Sequence, residues 1–128
     1  MALKRVWLIL KVEGTDKLLI LKRSKSSNNP KQWDFIGGSS QGKIKPRKLI
    51  RKESLEEIGF IPRMSLLSTF YKKGSVYHYY IGVIKKTELI NIQLNYEHSK
   101  FDTLELHKLR KKRKLHHSVK FYLSNVNN

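Results

Sequence analysis

Apolar side chains in this chain fall in short dense runs separated by turn residues, and the runs fix most of the expected elements. Val6-Trp7-Leu8-Ile9-Leu10 and Leu18-Leu19-Ile20-Leu21 are rich in strand-forming residues, and Gly14-Thr15-Asp16 between them is a turn signal, so Leu3 to Val12 and Lys17 to Lys22 predict a hairpin. A polar loop over Ser24 to Pro30 leads to the short apolar segment Trp33-Asp34-Phe35-Ile36, predicted to run as a strand into a tight turn at Gly37-Gly38. Pro46 suits a first helical turn, Arg47 to Ile58 are good helix formers, and Gly59 suits a left-handed helix-ending position.

Beyond the helix, Ser65 to Tyr71, Val76 to Lys85 and Leu89 to Leu94 have strand composition, with a turn over Lys72 to Ser75, so the sheet is expected to be built mostly after the helix. Thr103 to Leu109 predicts a short helix opened by Thr103, and His116 to Leu123 a second one, with the basic run Arg110 to Lys114 between them. Asn125 to Asn128 is expected to fray. No internal repeat is visible.

The 128 residues suit a single domain, so any site must be built within one core. Absence of cysteine excludes disulfides, thiolate metal sites and a cysteine nucleophile together, leaving carboxylate, imidazole or carbonyl as metal ligands. The N-terminal apolar run ends at Lys11, too short for a membrane span and without a signal-cleavage pattern, so a cytoplasmic protein with no membrane partner is expected. Lys and Arg number 27 against 10 acidic residues, a formal charge of +17 that attracts polyanions such as nucleotides or RNA. Twenty of the 27 are lysines spread along the whole chain, which compositional bias explains as well as a nucleic-acid face does.

Against that basic background, Lys52-Glu53-Ser54-Leu55-Glu56-Glu57-Ile58-Gly59-Phe60 concentrates three carboxylates into five positions. At about 100° per residue, Glu53, Glu56 and Glu57 share one arc of the helix, while Ile50, Ser54 and Ile58 lie on the adjoining arc that can face the core. Like charges at this spacing repel, and the helix C-terminus opposes them, so something positive is required. Nearby Lys48, Arg51 and Lys52 are one answer; Mg²⁺ or Mn²⁺, hard ions suited to carboxylate oxygen, is the other.

The segment Gly38 to Phe60 resembles the Nudix box: a glycine, five residues, a glutamate, seven residues, then Arg-Glu-aliphatic-x-Glu-Glu-x-Gly-aliphatic. Gly38, Glu53, Glu56, Glu57 and Gly59 match, and Phe60 fills the closing apolar place. Trp33 to Gly38 looks like the aromatic strand and double glycine that lead into the box, and Glu97-His98-Ser99-Lys100-Phe101 with Thr103-Leu104-Glu105-Leu106 is similar to the segment entering the family's late helix. Three places depart: Ile44 stands for the box's first glutamate, Lys52 for its arginine and Ser54 for an aliphatic. The missing glutamate and arginine chiefly brace the helix and its carboxylates in the family, and lysine does not reproduce a forked arginine contact.

The resemblance implies an α/β fold of the α+β type, a mixed β-sheet sandwiched between helices as one domain. It implies a hydrolase cleaving a phosphoanhydride in a nucleotide-type small molecule, with Mg²⁺ or Mn²⁺ held by Glu53, Glu56, Glu57 and the Gly38 carbonyl. Glu53 or Glu57 would serve as base, with Glu97 as an outside candidate. Arg23, at the end of the second strand, is similar in place to a phosphate-gripping residue but reads equally as a solvated edge charge. Trp33 and Phe35 suit base stacking or core, and His78 suits a pocket or a structural role. His116-His117 has no matching pair for a metal site. Activity on RNA 5′ ends, with Lys108 to Lys114 holding the backbone, and a non-catalytic nucleotide or RNA binder on a degenerate box are the rival readings. Monomer and homodimer both remain open.

Overall fold

The computed structural model describes residues 3–125. Its centre is a parallel pair, β1 (Leu3–Val12) and β6 (Ser75–Ile84), in register along their full lengths. β2 (Lys17–Arg23) meets β1 antiparallel at Lys11 and Leu18, β3 (Trp33–Asp34) and β7 (His98–Glu105) flank β2, β4 (Ile36–Ser40) runs antiparallel to the first half of β1, and β5 (Met64–Lys72) closes the far edge against β6. The mixed seven-stranded sheet thus has the order β3-β2-β1-β6-β5, with β4 on β1 and β7 on β2.

Strand alternation sends neighbouring side chains to opposite faces, and both faces are covered. Val6, Leu8, Leu10, Leu19 and Leu21 join a core beneath α1 (Pro46–Ile58), to which the helix contributes Leu49, Ile50 and Ile58. Trp7, Ile9, Leu18 and Ile20 join a second core beneath α4 (His117–Ser124) and α3 (Leu106–Lys111), built with Val119, Leu123 and Leu109. These two layers make the expected helix–sheet–helix sandwich. No helix among the described residues is long and apolar enough to cross a membrane.

Four elements differ from expectation. Gly37 and Gly38 form no tight turn; they lie inside β4, opposite Trp7 and Val6. Four strands precede α1 and three follow it, so the sheet is not built mainly after the helix. The stretch from Leu89 to Leu94 forms no strand: α2 (Lys86–Leu89) leads into a turn whose Leu89, Ile92 and Leu94 pack on the α1-side core. Thr103 opens no helix; it sits in β7 opposite Leu19, and the helix starts three residues later. Asn125 caps α4, whereas the rest of the expected tail lies outside the described residues.

Candidate functional site

α1 carries no side-chain hydrogen bond at its N-cap, Lys45, and no acidic residue in its first turn. It is fixed by Pro46 at its start, by docking on the sheet, and by Gly59 at its end, whose φ of 88° lets its N–H reach the Leu55 carbonyl at 3.1 Å. Ser54, where an aliphatic is usual, is fully buried and satisfied by donating to the Ile50 carbonyl at 2.8 Å. Ile44 packs against the α1-side core instead of presenting a carboxylate.

The three helix glutamates are not equivalent. Glu56 is exposed and pairs with Lys52 at 3.7 Å, the lysine answer to its charge. Glu53 is half-buried, and its carboxylate lies against the backbone of Gly38, in the space a Cβ at that position would fill. Burial raises its pKa to about 7, with Glu56 and Glu97 adding to the rise. Glu57 is buried, and both its oxygens accept from the Gly37 N–H at 3.4 and 3.5 Å. Its pKa is pushed well above the usual carboxylate range by desolvation first, then by Asp34, Glu53 and Glu97.

Sequence reasoning placed all three glutamates on one arc facing a site. The structure instead turns Glu57 inward with Ser54 and Ile58 and leaves Glu56 at the rim. Among the described residues, no three His, Asp or Glu side chains are already converged in metal-ligating geometry. Even so, carboxylates with raised pKa gathered beside a glycine whose missing side chain opens their seat fit a hard divalent cation, with Glu53, Glu56, Glu57 and the Gly38 carbonyl as the oxygen donors at hand.

Glu97 arrives from the loop before β7, partly buried and near enough to raise both Glu53 and Glu57. Its neighbour His98 is the residue sequence reasoning missed. Fully buried, it bonds Asp34 through Nε2 at 2.8 Å, and its Nδ1 lies 3.9 Å from Glu57 Oε1. Asp34 in turn accepts from Arg23 Nη1 at 2.8 Å, and Arg23 Nε donates to the Asn28 carbonyl. The sequence signal was slight: a charged residue inside the apolar Trp33 to Ile36 segment needs a partner when buried.

The remaining candidates separate. Arg23 is committed to Asp34 and only 14% exposed, neither a solvated edge charge nor a free phosphate grip. Phe35 is fully buried in the α4-side core and ring-stacks edge-on with Tyr122, which leaves no face for a nucleobase. Trp33 is buried in the same core, on the sheet face away from α1. His78 stands in one row with Val6 and Gly38, two strands from Gly38, or roughly 10 Å. It is half-buried, 3.3 Å from Thr69 Oγ1, with its pKa lowered by burial and then by Lys4. A cavity of about 870 Å³ lined by Lys11, Glu13, Arg63, Lys85 and Glu88 lies at the other end of β1, away from Glu53, Glu56 and Glu57.

A NUDIX domain family model matches residues 2–123. The fold is similar to that of the MutT protein from Methanosarcina mazei Go1 (TM-score 0.76, 20% identity, 95% of this chain and 90% of that one). DR0079 from Deinococcus radiodurans is similar at TM-score 0.82 and 18% identity over 98% of this chain and 83% of the other. So is the NUDIX domain of Shewanella oneidensis NrtR, solved in complex with ADP ribose, at TM-score 0.70 and 16% identity over 97% and 85%. No curated protein matches the sequence. The family match spans nearly every element described above, and it sets the glutamates of α1 and the glycines of β4 in a setting the fold reproduces: the chain belongs to the NUDIX domain family of pyrophosphohydrolases.

Proposed function

We propose that the enzyme cleaves a phosphoanhydride bond in a nucleoside diphosphate linked to another moiety, such as a nucleoside triphosphate or a nucleotide sugar, in the cytoplasm. The observation that carries this reading is the seat formed by Gly38 and Glu53, with Glu56, Glu57 and Glu97 close by and, among the described residues, Lys52 the one Lys or Arg ion-paired to a glutamate of the helix. Mg²⁺ or Mn²⁺ bound there would neutralise the diphosphate and acidify the attacking water.

The chain's own residues divide the remaining work. The Gly38 carbonyl and the carboxylates of Glu53, Glu56 and Glu57 would hold the cation. Glu53, whose carboxylate lies against Gly38, suits general-base work; Glu57 and Glu97 are the alternatives. His78, on the α1 face of the sheet, is the substrate contact retained from the sequence candidates. The bound ADP ribose of the Shewanella domain favours a nucleotide-type substrate.

The test is a phosphate- and pyrophosphate-release panel over nucleotides and nucleotide sugars with Mg²⁺ or Mn²⁺, on wild type and Glu56→Gln. Turnover lost in Glu56→Gln supports the reading; unchanged turnover removes Glu56 from the site. No turnover by folded wild-type protein favours a binding module with a degenerate box.

A second reading, action on RNA 5′ ends, is favoured by one cluster. Nζ of Lys22, Lys100 and Lys112 lie 5.9, 5.8 and 4.3 Å from the Trp33 ring centre, and Lys31 and Lys114 are near enough to depress Lys22 further after Lys100 and desolvation. Five lysines from four chain segments crowd one end of the sheet, an arrangement that a phosphodiester backbone would relieve. Neutralising Lys111-Lys112-Arg113-Lys114 is expected to weaken long RNA far more than a mononucleotide, with steep salt dependence; equal effects on both argue against RNA.

A further inference from the structure

We propose that His98 is a positioning residue for the metal site, the last link of a buried chain, Arg23–Asp34–His98, that holds the Glu57 carboxylate in the role vacated by the box's missing arginine and glutamate. The inference rests on the metal-site reading above. Neither of the box's own bracing positions reaches Glu57: Lys52 is exposed and pairs with Glu56, and Ile44 is packed into the core. From the backbone Glu57 receives only the long contacts of the Gly37 N–H at 3.4 and 3.5 Å. A buried carboxylate so loosely held needs a further partner to keep one orientation.

His98 occupies that place. Its ring is fully buried, anchored through Nε2 to Asp34 Oδ1 at 2.8 Å, while the other Asp34 oxygen takes Arg23 Nη1 at 2.8 Å. The ring cannot turn without losing its anchor, and Asp34 is itself fixed by a guanidinium from β2. Nδ1 is buried without a hydrogen-bond partner, and the group it faces is Glu57 Oε1 at 3.9 Å, one small side-chain rotation from a hydrogen bond. Four side chains from β2, β3, β7 and α1 thereby link the β3 end of the sheet to α1. Buried ionic chains contribute little net stability compared with apolar packing, so one retained beside a carboxylate helix is better understood as fixing geometry.

The two ring nitrogens can be tested separately. His98→Gln keeps a donor near the Nε2 position, toward Asp34, and places nothing at Nδ1; His98→Asn does the reverse. Mn²⁺ binding is measured by the electron-paramagnetic-resonance signal of the free ion, alongside thermal melts of the metal-free proteins. The expected result is Mn²⁺ affinity reduced about 10-fold or more in His98→Gln and by a clearly smaller factor, about threefold, in His98→Asn, whose donor faces Glu57 but lacks the Asp34 anchor, without a matching order in the melts. Wild-type affinity in folded His98→Gln, equal weakening in both variants, or losses that follow melting temperature would overturn the proposal. If either His98 variant fails to fold, Asp34→Asn, which leaves the ring but weakens its anchor, is expected to bind Mn²⁺ more weakly; unchanged binding would overturn it. Wild type that binds no Mn²⁺ overturns the metal-site reading and this one with it, whereas wild-type binding lost in Glu56→Gln keeps the former whatever His98 does.

Discussion

The carboxylate of Glu53 lies where any side chain at position 38 would project, so Gly38 and Glu53 share one volume between β4 and α1. The obstructing atoms belong to the far end of a flexible side chain. Gly38→Ala is therefore expected to displace the Glu53 carboxylate at little cost to the fold, below about 1 kcal/mol, while weakening Mn²⁺ binding and turnover. Gly37→Ala is the contrast, because its Cβ would collide with the Trp7 ring and the Val6 carbonyl, neither of which can give way. Its expected cost is about 2–3 kcal/mol in a denaturant melt. Equal stability losses in the two variants would contradict this division between a glycine kept for the site and one kept for packing.

Glu57 is buried against a carboxylate, Asp34, and its desolvation opposes ionisation in the metal-free protein. Glu57→Gln is expected to stabilise the metal-free protein at pH 8 by on the order of 1 kcal/mol, and so to raise its melting temperature, since it removes a charge that water no longer solvates. Mn²⁺ should raise the melting temperature of wild type by mass action and leave the variant unmoved. The two melting curves should thus change order when metal is added. A variant that is both less stable without metal and still stabilised by it would place Glu57 outside the metal shell.

How much of this was legible in the chain follows from the range of the forces involved. β1, β2 and α1 were readable because their signals are local: dense apolar runs, a Gly-Thr-Asp turn, Pro46 and Gly59. β7 was not, because Thr103 looks like a cap until Lys17 to Arg23 supplies a strand edge that pairs with His98 to Glu105. Leu89, Ile92 and Leu94 had strand composition but no free edge to join, and they fill the α1-side core from a turn. The glutamate spacing put all three carboxylates on one arc; that Glu57 instead turns inward depends on Asp34 and His98, 64 residues apart in sequence and joined only by the fold. Phe35 and Trp33 suited base stacking or core on sequence alone for the same reason, since only α4 and the Leu115 segment reveal what covers them.

Tyr79 ties the central strand to the last helix by donating its hydroxyl to the Ser118 carbonyl at 2.7 Å, inside an aromatic group with Phe70, Phe121 and Tyr122. Burial, then Tyr77, pushes its pKa above the usual range. Tyr79→Phe keeps the packing and removes that tie, while the carbonyl keeps its place in the helix ladder, so a loss of about 1 kcal/mol is expected in a denaturant melt. Because α4 lies on the sheet face away from α1, Mn²⁺ binding should be unaffected in the folded variant. A large fall in metal affinity would mean that the two faces are coupled.

His116 sets the pH dependence of that same helix. Its buried ring accepts the Ser118 N–H at 3.1 Å through Nδ1, capping α4, and lies 5.4 Å from the Trp7 ring and 3.9 Å from that of His117. Burial first, then His117, Arg23 and Arg5, lower its pKa to about 4, against the partial opposition of Asp34. A histidine takes up its proton near pH 6.5 in the unfolded chain, so between 6.5 and 4 the unfolded state binds more protons than the native one. Its contribution to stability is therefore complete above about pH 6.5 and is lost as the pH falls toward 4, an effect on the order of 3 kcal/mol. His116→Asn supplies a cap that does not titrate. Comparing the two proteins in urea melts at pH 7 and pH 4.5 cancels the opposite contribution of Glu53, which both carry and whose raised pKa stabilises the metal-free fold on the acid side. Wild type should lose more stability than the variant over that interval; parallel losses would show that the His116 proton is not what loosens α4 in acid.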